Sequence, residues 1–394
     1  MKNTNEKPTR LHYLDWLQVL AILGVFLFHA FHPFDYVADW HINNAESSLL
    51  ATFFLGFFRL WGMPFFFLMA GVTSWFSLRR RAVSQYIRER VTRLLIPFIL
   101  GSIVLTPIQA YYELTYNGWW QAGSIVEFIL SAEARTYFYT EFHRVTLSPE
   151  IFGRLGYHLW FVAFLFIFSL IAVPVFLWLK QDSGKRFVGS LTRLAKWRCG
   201  LLIFVIPLVL IRFVLQAGFS SMNDWPGFIT QLLFFVSGYI LIADEQFMLS
   251  IRRDWRLYLI LGIACTLFFF SSAADVPVDV WMGERGTPMF YVSWTLFSIN
   301  SWCWTMVMLY SGLRFLNFSN KSLQYGREAS YPFFMIHQPV IIFIAFYAVQ
   351  WEVDILIKLL VVVIGSFALS LGLYELFVRR INLFRALFGM KSNN

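Results

Sequence analysis

The sequence predicts an all-α polytopic membrane protein with about ten transmembrane helices and both termini in the cytoplasm. Composition is the first reason: the 394 residues are 58% hydrophobic and only 14% charged, whereas soluble domains average about 25% charged residues. The second reason is that apolar residues form about ten runs, most of them near the roughly 20 residues that cross a bilayer. The third is a strong bias of Lys and Arg toward the loops of one side.

The apolar runs define the predicted helices in chain order. The second run contains Gly56, Arg59, Gly62 and Pro64, which predict either a kink or a short interfacial helix. The sixth run is short, and the sequence leaves ten or eleven spans open. The runs cover residues 14–34, 49–76, 94–112, 157–179, 199–215, 228–242, 257–273, 291–313, 331–350 and 355–378.

The distribution of basic residues predicts the orientation of these spans. Of the 32 Lys and Arg residues, 25 lie in the termini and alternate loops of one side, and four lie in the opposite loops. Because basic loops remain in the cytoplasm, both termini are expected there and the number of spans is expected to be even. The net charge of +9 therefore reflects membrane topology and does not call for nucleic acid as a partner.

A single integral membrane domain over residues 1–394 is the simplest organisation, because no Gly/Ser-rich linker, low-complexity tract or obvious repeat divides the chain. The long outer loop, residues 111–156, mixes Glu with Tyr and Trp, which suits either sugar binding or an interfacial aromatic belt. Residues 379–394 form a cytoplasmic tail. The first run is long and does not end in small residues, so it is expected to be an anchor rather than a cleaved signal.

Ionisable side chains inside predicted spans are the candidate functional residues, because their burial in lipid is costly. His29 is the strongest candidate, since it lies about 22 Å along the first helix and hence in the outer half of the membrane. His32 follows one turn later, with Asp35 and His41 just beyond. Alternatively, His29 and His32 only donate hydrogen bonds to backbone carbonyls of neighbouring helices.

Two other histidines are predicted to lie away from His29. Counted from residue 331, His337 lies roughly 10 Å into the ninth span, well below His29, so the two are not expected to form a dyad. His337 is expected either to line the inner part of a tunnel or to tie the kink at Pro339 to a neighbour. His158 opens the fourth run two residues before Trp160, which is typical of an anchor at the outer interface.

Arginines cluster at one predicted inner mouth. The orientation of the spans explains part of this charge, but guanidinium groups also match phosphate geometry, so a nucleotide-bearing donor or an anionic lipid is a candidate ligand. The sequence lacks the Walker A, dinucleotide-binding, zinc-protease and nucleophile-elbow motifs, which argues against ATP-driven transport and serine-hydrolase chemistry. The clustered residues are Arg79, Arg80, Arg81, Arg88, Arg90 and Arg93.

Short motifs follow one another in a characteristic order along nearly the whole chain. They are Tyr13-Leu14-Asp15-Trp16-Leu17, Phe28-His29, Trp40-His41-Ile42-Asn43-Asn44-Ala45-Glu46, the segment 63–71, Arg90-x-x-Arg93-Leu94-x-x-Pro97, His158-Leu159-Trp160-Phe161, Ser237-Gly238-Tyr239, and Ser330-Tyr331 followed by His337-Gln338-Pro339. Together, their order and spacing resemble the acyltransferase-3 family of integral membrane O-acyltransferases.

The resemblance implies an enzyme of the bacterial inner membrane that moves an acetyl or succinyl group from cytoplasmic acyl-CoA to a hydroxyl of an extracytoplasmic glycan or lipid-linked sugar. No tightly bound cofactor and no metal are expected. The resemblance implies that His29 is the catalytic base and that Arg90 and Arg93 serve the donor. The predicted donor side also includes Arg88, His337 and Tyr331, and the acceptor side includes His32, Asp35, His41, Asn43, Glu46, His158 and Trp160.

Two positions depart from the family pattern. Gln18 and Gly62 occupy positions where relatives often carry a basic residue, and Arg59 lies one turn before Gly62, so donor binding or acyl preference is expected to differ. A proton-coupled transporter that uses His29, His32 and His337 as a relay is the alternative function. A metal site of His29, His32, Asp35 and His41 is a weaker alternative. The acyl group, the acceptor and the oligomeric state stay open.

Overall fold

The structure is a computed structural model that describes residues 11–36, 40–121, 123–144, 148–216, 224–272 and 282–391. Within these ranges the chain is almost entirely helical and contains no β-strand, which confirms the predicted all-α class. Lys2, Lys7 and Arg10, which contribute to the predicted N-terminal charge, lie outside the described residues.

The first half of the described chain contains helices α1 to α9. Short 3₁₀ turns follow α1 (His32–Phe34) and α7 (Tyr157–Leu159), and a π-helical turn, Val91–Leu95, joins α3 to α4. The helices are α1 (His12–Phe31), α2 (Leu49–Arg80), α3 (Val83–Arg90), α4 (Ile96–Tyr116), α5 (Ile125–Leu130), α6 (Ala132–Arg144), α7 (Ile151–Gly156), α8 (Trp160–Ile171) and α9 (Val173–Lys180).

The second half contains helices α10 to α17. A 3₁₀ turn, Gly200–Phe204, leads into α11, and a π-helical turn, Tyr374–Val378, follows α16. The helices are α10 (Asp182–Ala195), α11 (Val205–Leu215), α12 (Trp225–Leu241), α13 (Glu245–Ser272), α14 (Pro288–Phe315), α15 (Lys321–Ala348), α16 (Ile355–Leu373) and α17 (Asn382–Leu387).

Long apolar helices dominate the described ranges, as a multi-pass membrane protein requires. Seven helical stretches there are long and apolar enough to cross a bilayer, and Gly200–Leu215 and Trp225–Leu241 are shorter apolar helices. Together with the 28-residue α14, these helices account for all ten predicted runs. The seven stretches are His12–Phe34, Leu49–Arg80, Val83–Tyr116, Ile151–Ile171, Glu245–Ser271, Lys321–Ala348 and Ile355–Val378.

Several helix boundaries differ from the predicted ones. The second run forms one helix of 32 residues with Pro64 inside it, without a separate interfacial helix. The fourth run is divided at Ala172, because Pro174 lacks an N–H and its ring disfavours a continuous helix. The predicted outer loop 111–156 is largely helical: α4 continues to Tyr116, and α5, α6 and α7 follow.

Close backbone packing joins α2 to α12 in the centre of the bundle. A Cβ atom on Gly71 would lie 1.8 Å from the carbonyl oxygen of Phe235, and one on Gly238 would lie 1.9 Å from that of Leu68. Such distances are possible only for glycine, because no side-chain rotation relieves a clash with backbone. The two glycines therefore allow the helices to approach closely, and the Phe-rich core surrounds this contact.

Helices α1 and α15 run side by side in the same direction. Asp15 pairs with Arg327 at 3.4 Å near their starts, and the rings of Phe26 and Phe333 are 5.4 Å apart further along. We call the end of the bundle where α1 and α15 begin the inner end, and the end where they finish the outer end. This parallel arrangement determines which residues of the two helices face each other.

Candidate active site

Three histidine rings from separate parts of the chain meet in the bundle. The ring centroid of His337 lies 5.3 Å from that of His29 and 5.2 Å from that of His158, and those of His29 and His158 are 6.3 Å apart. His337 and His158 are buried, with 1% and 5% exposure, whereas His29 is partly exposed. His29 is therefore the member of this histidine cluster that a substrate can reach most directly.

The prediction that His337 lies well below His29 was wrong. Helix α15 begins at Lys321, ten residues before the predicted start of the span, and His337 is the seventeenth residue of this helix. His29 is the eighteenth residue of α1. At a rise of 1.5 Å per residue, the two lie about 24 and 26 Å from the starts of two parallel helices, so they face each other at one depth.

The prediction that His158 is an interfacial anchor was also wrong. His158 lies in the 3₁₀ turn before α8, which directs its ring into the bundle, and its Nε2 donates to the carbonyl oxygen of Met335 at 3.1 Å. That carbonyl is available because Pro339, four residues later, has no N–H with which to continue the helix. His158, rather than His337, thus ties the proline site of α15 to a neighbour.

Backbone carbonyls determine where two of these rings carry their protons. Nδ1 of His337 lies 2.6 Å from the carbonyl oxygen of Phe334, and Nε2 of His158 contacts that of Met335. Because a carbonyl oxygen only accepts hydrogen bonds, each of these nitrogens carries the proton of a neutral ring. The opposite nitrogens, Nε2 of His337 and Nδ1 of His158, keep lone pairs and are buried without a partner, as is Nδ1 of His29.

The segment 40–48 covers the histidine cluster at the outer end. The ring of Trp40 is stacked on His32 at 5.5 Å and lies 6.3 Å from that of His29. Lys358 is buried and donates from Nζ to Oδ1 of Asn44 at 3.1 Å, which connects this segment to α16. The hydroxyl of Tyr116 donates a hydrogen bond to the backbone oxygen of Asn43. The backbone oxygens of Pro33 and Phe34 accept hydrogen bonds from the N–H groups of Asn44 and Ser48, respectively.

A polar network that starts at His41 joins this segment to four other elements. Nδ1 of His41 lies 2.7 Å from Oε2 of Glu113, which also accepts a hydrogen bond from the hydroxyl of Tyr157 at 2.8 Å. Nε2 of His41 lies 3.2 Å from the side-chain amide nitrogen of Gln338, and the hydroxyls of Tyr157 and Tyr137 are 3.2 Å apart. In the sequence, Glu113 is one of several Glu residues of the predicted outer loop 111–156, and no motif marks it as a partner of His41.

The other acceptor-side candidates have different surroundings. Nδ1 of His32 lies 3.3 Å from Oδ2 of Asp35, and both side chains are buried. Glu46 is exposed at the outer end. Trp160 packs against Phe164, with ring centroids 5.0 Å apart, and therefore belongs to the aromatic core.

The three predicted donor arginines lie at the inner end, whereas His337 lies in the histidine cluster. Nη2 of Arg90 reaches Oγ of Ser74 at 3.4 Å, its guanidinium lies 4.7 Å from the ring of Tyr86, and its Nε is buried without a partner. Arg88 and Arg93 are exposed. All three belong to the continuous helical stretch Val83–Tyr116 rather than to a loop before it. The hydroxyl of Tyr331, inside α15, is buried without a partner.

A cavity of about 580 Å³ also lies at the inner end, between α2, α9, α10 and α12. Its lining includes Trp75, the basic residues Arg79, Lys180 and Lys185, and one acidic residue, Asp244, so basic residues outnumber acidic ones there. Arg79 is 21 residues, or about 32 Å of helix, from Phe58, whose ring contacts Phe28 beside His29. The cavity is therefore an inner feature and is remote from the histidine cluster.

The structure describes the surroundings of Gly62 and Gln18, the two positions that depart from the family pattern. A Cβ atom on Gly62 would lie 2.4 Å from the ring of Phe58, so this ring occupies the space that a side chain would need. Arg59 lies in the same helix, and Gln18 is partly buried in α1.

Among the described residues, no group of three or more His, Cys, Asp or Glu side chains is arranged to hold a metal ion.

Comparison with known proteins agrees with the resemblance in the sequence. The acyltransferase-3 family, described as an acyltransferase domain, matches residues 11–375. Glucans biosynthesis protein C of Salmonella schwarzengrund (strain CVM19633) is 26% identical over 402 residues, covering 97% of this chain and 95% of the relative. The proteins of the same name from Salmonella paratyphi B and Salmonella dublin are also 26% identical, over 404 residues with the same coverage. No solved structure matches. The chain therefore belongs to the acyltransferase-3 family and is a multi-pass membrane acyltransferase.

Proposed function

We propose that this acyltransferase moves an acetyl or succinyl group from cytoplasmic acyl-CoA to a hydroxyl of an extracytoplasmic glycan or lipid-linked sugar. The observation that carries the proposal is the partly exposed ring of His29 inside an otherwise buried histidine cluster. Basic residues lie at the inner end, and the network of His41 and Glu113 lies at the outer end. A donor and an acceptor that approach from opposite ends would meet at His29.

His29 acts as the general base in this proposal. Its unprotonated Nε2 takes the proton of the acceptor hydroxyl while that oxygen attacks the thioester carbonyl, which forms a C–O bond and a tetrahedral intermediate. The C–S bond then breaks, and the thiolate receives the proton from Nε2, so the products are an ester and free CoA. A positioned general base typically contributes about 10²- to 10⁴-fold to the rate.

The donor approaches from the inner end. Arg90 has one buried guanidinium nitrogen without a partner, and the nearby Arg88 and Arg93 are exposed, so the three present cations to an anionic ligand. Guanidinium groups suit the phosphates of coenzyme A. His29 lies about 26 Å along α1 from its start, so the acyl-bearing arm must extend into the bundle while the phosphates stay near its inner end.

The acceptor approaches from the outer end. Trp40, stacked on His32, offers a flat aromatic surface near His29, and such surfaces pack against the apolar faces of sugars. Glu113 and His41 supply hydrogen-bonding groups for sugar hydroxyls. The curated relatives are named for glucan biosynthesis, so a glucan is the first acceptor to examine.

His29→Gln tests this proposal in proteoliposomes that contain the purified protein. With radiolabelled acetyl-CoA or succinyl-CoA and a glucan acceptor, the variant should lose at least about 10²-fold of the transfer rate, because Gln cannot accept the hydroxyl proton. His12→Gln, at the inner start of the same helix, is the matched control and should transfer at the rate of the unmodified protein.

The outcome also separates the proposal from the transporter alternative. Labelled ester on the glucan, dependent on His29, would support acyl transfer. Transport of a solute into the vesicles without a covalent product, or full transfer by His29→Gln, would overturn the assignment of His29 as the base.

A further inference from the structure

We propose that His337 is a positioning residue for His29. In this arrangement, Nε2 of His337 accepts a hydrogen bond from Nδ1–H of His29 and thereby directs the Nε2 lone pair of His29 at the acceptor hydroxyl. The inference rests on the proposed function, because it concerns the same proton transfer. It replaces the two roles that the sequence left open for His337, which were to line a tunnel or to tie the kink at Pro339 to a neighbour.

The first part of the argument is the tautomer of His337. Its Nδ1 donates to the carbonyl oxygen of Phe334 at 2.6 Å, so the neutral ring has its lone pair on Nε2. This Nε2 is buried and has no hydrogen-bond partner. Folded proteins rarely leave a buried acceptor unpaired, because its hydration is lost without replacement. Nε2 of His337 is therefore available to a donor within the bundle.

The second part is that His29 supplies a matching donor. Nδ1 of His29 is also buried without a partner, and the two ring centroids are 5.3 Å apart with an angle of 43° between the rings. Imidazole rings at this separation reach hydrogen-bond distance when a nitrogen of one points at a nitrogen of the other. One hydrogen bond would satisfy both buried atoms and would leave Nε2 of His29 unprotonated, as a general base requires.

The surroundings hold His337 in place and limit the other ways to stabilise a charged His29. The ring of His337 is stacked on Phe333 at 6.1 Å. The titratable groups with the largest electrostatic influence on His29 are His337 from α15, His158 from the turn before α8, His32 from its own chain segment and His41 from the outer segment. All four are imidazoles, so a neutral acceptor, rather than a carboxylate, is the local means of stabilising the imidazolium.

Two substitutions of His337 separate this role from packing. His337→Phe keeps a planar ring next to Phe333 but has no acceptor, whereas His337→Gln keeps an acceptor oxygen. The Phe variant should lose about 10²-fold in kcat, with the KM values for donor and acceptor unchanged. The acid limb of the profile of kcat/KM against pH should move to lower pH, because protonated His29 loses a hydrogen-bond acceptor. The Gln variant should recover part of kcat. His12→Phe serves as the control.

The results distinguish this inference from the proposed function. A His337→Phe variant with unmodified kcat, next to an inactive His29→Gln variant, would overturn the positioning role and leave the proposed function intact. Equal losses in the Phe and Gln variants, together with lower thermal unfolding temperatures for both, would show a structural role and would also overturn the inference. Full activity of His29→Gln would instead overturn the proposed function.

Discussion

His158 donates a hydrogen bond from Nε2 to the backbone carbonyl of Met335, 3.1 Å away on another helix. The bond exists because Pro339 cannot supply the N–H that would normally occupy this carbonyl within α15. It brings the turn before α8 against α15 and places His158 beside His337. A proline in α15 and a histidine in the turn before α8 thus form one structural unit of the candidate active site.

The first prediction concerns this unit. His158→Phe should lower the free energy of unfolding by about 1–3 kcal/mol, because the buried carbonyl of Met335 loses its donor. The loss should be smaller in a Pro339→Ala background, where the N–H of the new alanine can occupy the carbonyl within the helix. Thermal unfolding of the four proteins in detergent measures this coupling. Equal destabilisation in both backgrounds would contradict it.

The second prediction concerns the pair of His41 and Glu113. Glu113→Gln removes the charge from a partly buried contact of 2.7 Å while the shape of the side chain is retained. We expect kcat/KM for the glycan acceptor to fall by about 10- to 100-fold, since hydrogen bonds to charged groups are worth about 1.5–3 kcal/mol. The KM for acyl-CoA should not change. Glu133→Gln, exposed on α6, is the control.

Steady-state kinetics with each substrate varied in turn distinguish the outcomes for Glu113. An increase in the KM for acyl-CoA with an unchanged KM for the acceptor would place Glu113 on the donor side and contradict the prediction. Unchanged kinetics for both substrates would show that the network of His41 has no part in acceptor binding.

The third prediction concerns Arg90. Arg90→Lys keeps the positive charge but loses the planar group that reaches Ser74 and lies on Tyr86. The KM for acyl-CoA should rise by about tenfold, because an ammonium group cannot reproduce bidentate phosphate binding. Arg186→Lys, an exposed change on α10, should have no effect. Binding of CoA to the purified variants, measured by calorimetry, provides the check, and equal affinities would exclude Arg90 from the donor site.

The fourth prediction concerns the packing of α2 against α12. Gly71→Ala would place a Cβ atom 1.8 Å from the backbone oxygen of Phe235, so the helices must separate and the yield of folded protein should fall sharply. In contrast, Gly372→Ala in α16 meets no atom within 4 Å. This control should leave stability unchanged or raise it by up to about 1 kcal/mol, because alanine favours the helix. Size-exclusion profiles that are identical for both variants would contradict the prediction.

The predictability of the candidate site varied from residue to residue. The sequence identifies His29 from its ionisable ring in an apolar run and from the family resemblance, and its catalytic role stays a prediction. The predicted depth of His337 was wrong because α15 begins at Lys321, and its first turns contain polar residues such as Arg327 that precede the apolar run. Hydropathy detects where a helix becomes apolar. The depth of a residue in the bundle depends instead on where its helix starts and on how that helix is aligned with its neighbours.

The amino-acid sequence by itself determined the membrane class, the helical content and the positions of the apolar runs, because these depend on local composition and on the length needed to cross a bilayer. Only the tertiary structure decided that His29, His158 and His337 meet and that His41 contacts Glu113. These residues are up to 308 positions apart in the sequence, and their contact depends on the parallel alignment of α1 with α15 and on a carbonyl left free by Pro339. Such relationships arise from packing between helices, which the composition of any single helix does not encode.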